Sequence, residues 1–258
     1  MENGFTVSAA VVNYNNFATL PACIESVLAN TKKYPLNLTV IDNGSADGSL
    51  NYLKQQKDVQ LITAGKNLGF GNAHNAVLPL LNSKYHAVIN PDIEFSYDVI
   101  SELCDILEAH PELDMVTPKI LNPAGDEQYL PKKEPTFRYM FLGRLARLGG
   151  PFKKIREEYT RQNEALPDIC PVEFCTGCFF VIRSDVFKAV NGFDSRYFMY
   201  MEDADLTKKV IKNGGKAAFC KNFYVTHKWE RGSAKNIKLL CTHISSFIKF
   251  KKKWSKER

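Results

Sequence analysis

Three groups of residues carry the chemistry this chain has to offer. Asn90-Pro91-Asp92 sets a carboxylate directly after an apolar run, and Tyr200-Met201-Glu202-Asp203-Ala204-Asp205-Leu206 opens a helical pattern with acids. His227 follows the apolar Phe223-Tyr224-Val225. A carboxylate and an imidazole are both metal ligands, and a hard cation such as Mg²⁺ or Mn²⁺ completes its shell with water and substrate phosphate oxygens. A second carboxylate against an apolar wall has its pKa raised, which suits it to act as a general base. Such a wall stands in Tyr197-Phe198-Met199-Tyr200-Met201. Two metal ligands and a base around a diphosphate is the chemistry these residues suggest together. Each alone has a plainer reading. Asn-Pro-Asp is common turn chemistry, and acids in a first helical turn complement the macrodipole. A lone histidine is more often a satisfied polar residue than a ligand.

These side chains need a frame that presents them on one side. Short valine-rich runs bounded by polar turns predict strands over 7–12, 36–41, 59–63 and 85–89. Helical spacing predicts helices over 20–29, 72–81 and 97–109, and Asp47 is placed to cap another ending near Gln55. Strands alternating with helices imply an α/β fold with a parallel, doubly wound sheet. Ligands bind such sheets beyond the carboxyl ends of the strands. Asn13-Tyr14-Asn15, Asp42 and Asp92 all fall at those ends. Asp42 there either accepts hydrogen bonds from a base or ribose or initiates the turn before Asn43-Gly44. The second half predicts a strand over 172–182, a short helix begun by Ser184, a turn at Asn191-Gly192-Phe193-Asp194, and a helix over 203–213 stopped by Gly214.

Length and composition agree with this frame. At 258 residues, 45% apolar and 12% aromatic, the chain can bury a sizeable core. Its seven cysteines are odd in number and irregularly spaced, which argues against a disulfide framework and for a reducing compartment. Met1-Glu2-Asn3-Gly4 lacks a basic leader region, and no apolar run nears the ~18–20 residues of a spanning helix. The net charge of +6 sits in the tail: eight Lys/Arg and one Glu from Lys235 to Arg258 leave the preceding chain at −1. No nucleic-acid-binding face is expected from that distribution.

Two smaller motifs lead nowhere. Gly69-Phe70-Gly71 suggests the dinucleotide fingerprint, but His74 stands where the third glycine belongs, which argues against an oxidoreductase. Cys175-Thr176-Gly177-Cys178 has no second pair for zinc and sits in an apolar run, so buried structural thiols are expected.

Taken in order, Val11-Val12-Asn13-Tyr14-Asn15, Val40-Ile41-Asp42-Asn43-Gly44-Ser45-x-Asp47-Gly48, Asn67-x-Gly69-Phe70-Gly71-x-x-x-Asn75, Asn90-Pro91-Asp92, Gly177-Cys178-Phe179-Phe180, Gly192-Phe193-Asp194 and Phe198-x-Tyr200-x-Glu202-Asp203-x-Asp205-Leu206 resemble the family 2 glycosyltransferases. The likeness is greatest to their rhamnosyltransferase-like branch and covers residues 7–227. It implies a glycosyltransferase-A fold, with a single Rossmann-like nucleotide-binding sheet merged with an acceptor-binding half. It implies an inverting displacement assisted by Mg²⁺ or Mn²⁺. By the same resemblance Asn13, Tyr14, Asn15 and Asp42 hold the nucleoside, while Asn67, Gly69, Asn75 and Asn90 lie near the sugar-phosphate. Asp92 matches the last acid of the family's Asp-x-Asp metal motif and His227 its distal ligand. Asp203 matches the base, with Glu202 beside it, and Tyr200 and Arg138 are candidates for acceptor contact. Asn90 replaces the first acid of the metal motif, which lowers the charge offered to the cation and marks a subtype.

The resemblance favours dTDP-L-rhamnose as donor, with a UDP-hexose or UDP-galactofuranose as the alternative. It favours a saccharide or polyprenyl-diphosphate-linked acceptor in bacterial cell-surface polysaccharide synthesis. A non-catalytic nucleotide-sugar-binding scaffold is the rival from another class. A catalytic domain over 1–230 is expected to contain a basic and aromatic insertion at 131–162, which would bind the acceptor's diphosphate or shape its groove. Residues 231–258 read as a basic amphipathic tail. Its Ile237, Leu240, Ile244, Phe247, Ile248 and Trp254 stand at helical spacing beside Lys249, Lys251, Lys252 and Lys253. That pattern suits either peripheral contact with the inner face of the cell membrane or a helix packed on the core.

Overall fold

The computed structural model describes residues 6–129, 131–228 and 237–255. Met1-Glu2-Asn3-Gly4, the expected boundary at 230, and tail residues 231–236 and 256–258 lie outside the described residues.

The first half follows the predicted alternation. β1 (Val7–Asn13), α1 (Leu20–Asn30), β2 (Leu36–Asp42), α2 (Ser49–Leu53), β3 (Gln60–Thr63), α3 (Phe70–His74), β4 (Tyr85–Ile89), β5 (Ile93–Glu94) and α4 (Val99–Ala109) come in turn. β1 is buried at every position, which explains why a run of small and β-branched residues forms it. β1 pairs in parallel with β2 on one side and β4 on the other, and β2 with β3. The carboxyl ends at Asn13, Asp42 and Ile89 therefore share one edge.

The second half adds β6 (Met115–Leu121), α5 (Phe137–Phe141), α6 (Gly150–Thr160), β7 (Ile169–Pro171), β8 (Phe179–Arg183), α7 (Ser184–Ala189), α8 (Glu202–Lys212), β9 (Ala217–His227) and α9 (Ile237–Ser255). The strand order is β3-β2-β1-β4-β8-β6-β9-β5, with β7 beside β9. β8 runs antiparallel to both β4 and β6, and β5 and β7 run antiparallel to β9. The sheet is thus mixed: β3, β2, β1, β4, β6 and β9 share one direction, and the all-parallel expectation fails at β8, β5 and β7. Helices cover both faces, with one apolar cluster on each.

Local departures have local causes. The helix expected over 72–81 is α3 followed by a 3-10 segment, Asn75–Leu80, because Pro79 has no N–H to continue an α-helix. The strand expected over 172–182 begins only at Phe179. Before it, the N–H groups of Cys175 and Gly177 donate to Thr207 Oγ1 and Asp203 Oδ2 of α8 instead of to a ladder. In β9 the parallel register with β6 shifts between Pro118 and Lys119, where the proline again removes a donor. Beyond the shift, His227 pairs with Ile93.

α9 decides between the two readings of the tail. Phe247, Phe250 and Trp254 are buried against Phe174, Tyr197, Met201 and Ala204. Lys253 Nζ bonds Asp205 Oδ2 at 2.7 Å and Asp194 Oδ2 at 2.8 Å, and Trp254 Nε1 donates to Asp205 Oδ1 at 2.9 Å. Phe247, Trp254 and Lys253 are therefore core contacts and not membrane anchors, whereas Ile237 and Ile248 stay exposed. Among the described residues no helix is long and apolar enough to cross a membrane. All seven cysteines are free, and only Cys241 is exposed.

Candidate active site

The ends of β1 and β2 form a polar recess. Asn13 Nδ2 and the Asn15 N–H both donate to Ser45 Oγ, at 3.0 and 3.1 Å. Asn15, at φ 55°, accepts from the Ala46 N–H at 2.8 Å, so the two loops brace each other. Asp42 Oδ2 accepts from the Ser45 N–H at 3.3 Å. The remaining oxygens, Asn13 Oδ1 and Asp42 Oδ1, are buried without a hydrogen bond. Buried acceptors are costly to leave unpaired, so this recess fits a ligand that presents hydrogen-bond donors, as a nucleoside does. Tyr14 stands exposed beside it.

Asn67, Gly69 and Asn75 shape the neighbouring loops. Asn67 Oδ1 accepts from the Gly69 N–H at 2.9 Å and from Asn43 Nδ2 at 3.2 Å. Gly69 has φ 85°, and a Cβ on it would lie 2.0 Å from the Phe198 carbonyl oxygen. Only glycine permits that contact, which ties the loop to the segment leading into α8. Asn75 uses its whole carboxamide on Phe193, donating to its carbonyl and accepting from its N–H, each at 2.8 Å. Its place is therefore beneath the site, holding the Gly192-Phe193 turn.

Asp92 and His227 meet across β5 and β9. Asp92 Oδ1 is buried, accepts no hydrogen bond, and lies 3.2 Å from His227 Nε2. Gln128 Oε1 lies 3.4 Å from Nδ1 of the same ring. A proton on Nδ1 facing that oxygen leaves the Nε2 lone pair directed toward Asp92, the tautomer a metal ligand needs. Asn90 Nδ2 is 3.5 Å from Nε2. An orphaned carboxylate oxygen beside an imidazole lone pair fits a divalent cation. Among the described residues no third His, Cys, Asp or Glu joins them. Water and phosphate oxygens would complete the shell, as Mg²⁺ and Mn²⁺ prefer.

Asp203 sits in the first turn of α8, its Oδ2 accepting from the Gly177 N–H at 3.0 Å and its Oδ1 from the Ala204 N–H at 2.9 Å. Burial raises its pKa, while the Gly177 N–H and the charge of Lys132 pull it back in part. Glu202 is more deeply buried, its Oε2 has no hydrogen bond, and burial raises its pKa with the Asp203 charge adding to the effect. Tyr200 and Met201, at φ 70° and 69°, form the kinked entry that turns both acids inward. Gly177 and Cys178 connect the two halves of the site: the Gly177 N–H holds Asp203, and the Cys178 carbonyl accepts from the Asn90 N–H at 2.8 Å. The base candidate and the Asn-Pro-Asp turn are thus one hydrogen bond each from adjacent residues.

The two acceptor candidates fare differently. Tyr200 stacks on His243 with ring centroids 4.6 Å apart, close to α8. Arg138 is exposed and held by Glu158 at 2.8 Å. Ser45, Gln128 and Lys132 were not singled out from sequence, because nothing local distinguishes a loop serine, glutamine or lysine that acts only through distant partners. A cavity of about 300 Å³ lined by Ser8, Thr39, Gln60 and His86 opens at the opposite ends of the parallel strands and holds none of the candidate residues.

Similarity to known proteins agrees with this geometry. Residues 168–231 match the family described as the N-terminal domain of galactosyltransferase. The N-acetylglucosaminyl-diphospho-decaprenol L-rhamnosyltransferase of Mycobacterium tuberculosis is 28% identical over 254 residues, covering 92% of this chain and 81% of the relative. Rhamnosyltransferase WbbL of Escherichia coli is 26% identical over 225 residues, 84% of this chain and 81% of its own length. Among solved structures, a mannosyltransferase of Pyrobaculum calidifontis in complex with GDP-Man and Mn²⁺ superposes with a TM-score of 0.60 at 15% identity, over 90% of this chain and 59% of that one. GalNAc-T7 with UDP, GalNAc and Mn²⁺ gives 0.69 at 16%, over 98% of this chain and 48% of that one. Such likenesses establish the glycosyltransferase-A fold. Residues 8–190, most of the described sheet and the Asn-Pro-Asp turn, match glycosyl transferase family 2, and the chain belongs to that family.

Proposed function

We propose that the protein is an inverting, Mg²⁺- or Mn²⁺-dependent glycosyltransferase. In this reading it moves L-rhamnose from dTDP-L-rhamnose to a saccharide carried on a polyprenyl diphosphate, in bacterial surface-polysaccharide synthesis. The transferred sugar follows the names of the two rhamnosyltransferase relatives and the acceptor the name of the first, while dTDP as its carrier follows the family resemblance. The observation that carries the chemistry is the Gly177-Cys178 strip, which holds Asp203 on one side and the Asn90-Pro91-Asp92 turn on the other.

In this mechanism Asn13 and Asp42 offer their unpaired oxygens to the nucleoside. Asp92 and His227 would hold the cation, which would offset charge on the departing nucleoside diphosphate. Asp203 takes the proton of the acceptor hydroxyl as its oxygen bonds to the anomeric carbon, on the face opposite the breaking bond to the diphosphate. Configuration at that carbon inverts. Its raised pKa makes Asp203 a stronger base than a solvated carboxylate, and the Gly177 N–H fixes its orientation. Glu202 is the second candidate for this role.

We assign catalysis to 1–230 and the acceptor side to 131–162. Peripheral membrane contact is proposed at the cytoplasmic face, and its apolar surface is the exposed Phe137, Phe141, Leu142, Leu145 and Leu148. A UDP-hexose or UDP-galactofuranose donor is the second reading, favoured by the galactosyltransferase match over 168–231.

Purified protein incubated with a panel of nucleotide sugars and a lipid-extract acceptor, with Mg²⁺, Mn²⁺ or EDTA, tests both readings through release of nucleoside diphosphate. Metal-dependent release from dTDP-rhamnose supports the first, and release from UDP-sugars replaces the donor. Silence with every sugar, with no thermal stabilisation by any nucleotide, overturns both and favours a scaffold.

A further inference from the structure

Among the described residues Lys132 has no hydrogen-bonded or ion-paired side-chain partner, in a place where neighbouring cations have one. Lys133 pairs with Glu164 at 3.4 Å, Arg138 with Glu158 at 2.8 Å and Lys208 with Glu134 at 2.7 Å. Its Nζ lies over the Phe174 ring, 5.0 Å from the centre. The backbone puts it there through a bridge between Lys132 and Phe174. Phe174 packs on Met201 and Ala204, and the next N–H groups along the chain, those of Cys175 and Gly177, bond Thr207 and Asp203.

We propose that Lys132 is the seat for a phosphate of the diphosphate that joins the acceptor saccharide to its lipid carrier. This inference rests on the glycosyltransferase reading above. Diphosphate is also part of the donor, so the side of the site decides the source. Lys132 is bridged to Phe174, and the N–H groups that follow Phe174 bond Thr207 and Asp203, the side that serves the acceptor hydroxyl. Asp92 and His227, suited to the donor diphosphate, are reached through the Cys178 carbonyl on the other flank.

Energetics agree. Burial first and the Arg156 charge second lower the Lys132 pKa to about 8, with Asp203 opposing them in part. A poorly solvated ammonium is relieved by an anion brought against it. Farther out on the same insertion, Phe137 and Phe141 stack on each other and meet Phe247, an apolar path for a prenyl chain.

The test uses full-length Lys132→Gln and Lys132→Arg with two acceptors, N-acetylglucosaminyl-diphospho-farnesol and octyl N-acetylglucosaminide, which has no phosphate. Calorimetry with dTDP and with inorganic pyrophosphate in EDTA runs alongside. We expect Lys132→Gln to raise KM for the diphosphate acceptor about tenfold or more, the weight of one charge-assisted contact. KM for the octyl glycoside and dTDP affinity should stay within about twofold, and Lys132→Arg should recover most of the loss. Equal losses on both acceptors would mean that Lys132 only tunes Asp203, and weakened dTDP binding would give the anion to the donor; either overturns the proposal. If the wild type transfers nothing, the glycosyltransferase reading fails separately. Pyrophosphate binding then still decides the seat: lost in Lys132→Gln it stands, unchanged it falls.

Discussion

Lys253→Met removes the ammonium that joins α9 to the first turn of α8. The side chain of Lys253 is 10% exposed and that of Asp205 0%, so their 2.7 Å contact is made away from water. Asp205 Oδ1 keeps its bonds from Trp254 Nε1 at 2.9 Å and the Tyr197 hydroxyl at 3.2 Å, and Asp194 keeps Arg196. Asp205 Oδ2 is left as a buried charge without its counter-ion. One-sided removal of a buried ion pair costs about 3–5 kcal/mol, and the two surviving donors put this case near the lower end, about 3 kcal/mol. At roughly 2–4 °C per kcal/mol for a chain of this size, Tm should fall by about 6–12 °C. Thermal and urea unfolding would measure it, with Asp205→Asn and the double variant completing a cycle. Because both changes act on one buried contact, the double variant should be more stable than additivity predicts by about 1–3 kcal/mol. Turnover should fall as well, since Asp203 lies in the same helical turn. A Tm change under about 2 °C with additive double-variant behaviour would refute the clamp and restore the tail as a detachable element. By the same reasoning, deleting residues 249–258 would destabilise the fold itself, so it cannot serve as a clean test of liposome binding.

Other expectations follow from the site. Asp203→Asn should lower kcat by about 10²–10⁴-fold while leaving dTDP affinity unchanged; retention of most turnover would move the base role to Glu202. In the wild type the acid limb of kcat/KM should lie above the ordinary carboxylate range, because burial raises Asp203. Gln128→Ala frees the His227 ring and should weaken Mn²⁺ binding about 10–100-fold by calorimetry; unchanged affinity would remove Gln128 from the metal site. Glu202 has its folded-state pKa raised, so its contribution to stability is full at low pH and is lost as pH rises from the ordinary carboxylate range through the raised value. Glu202→Gln should therefore flatten the fall in Tm between pH 5 and pH 8, and an unchanged slope would contradict the burial argument.

Much of this was legible along the chain because it rests on local rules. Valine-rich runs closed by Asn13, Asp42 and Ile89 predict strands whose ends share an edge, since parallel pairing aligns carboxyl termini. Acids at 202, 203 and 205 marked a helix start, and only their different partners show that Asp205 clamps α9 while Asp203 is held by the Gly177 N–H. The antiparallel β8 was not legible, because direction within a sheet is set by the path of connections across the fold and not by any residue of the strand. The C-terminal pattern was ambiguous for a related reason. Amphipathicity fixes which side of a helix is apolar, and whether that side meets a membrane or a core depends on what stands opposite. The chain by itself determined the strand ends and the helix start, and it singled out Asp92, Asp203 and His227 as candidates. Tertiary structure alone decided that Asp92 meets His227 beyond the register shift at Pro118, that Gln128 faces the ring, and that Lys132, over the Phe174 ring, stands within electrostatic reach of Asp203. Those contacts join residues tens of positions apart, and no local propensity encodes such a distance.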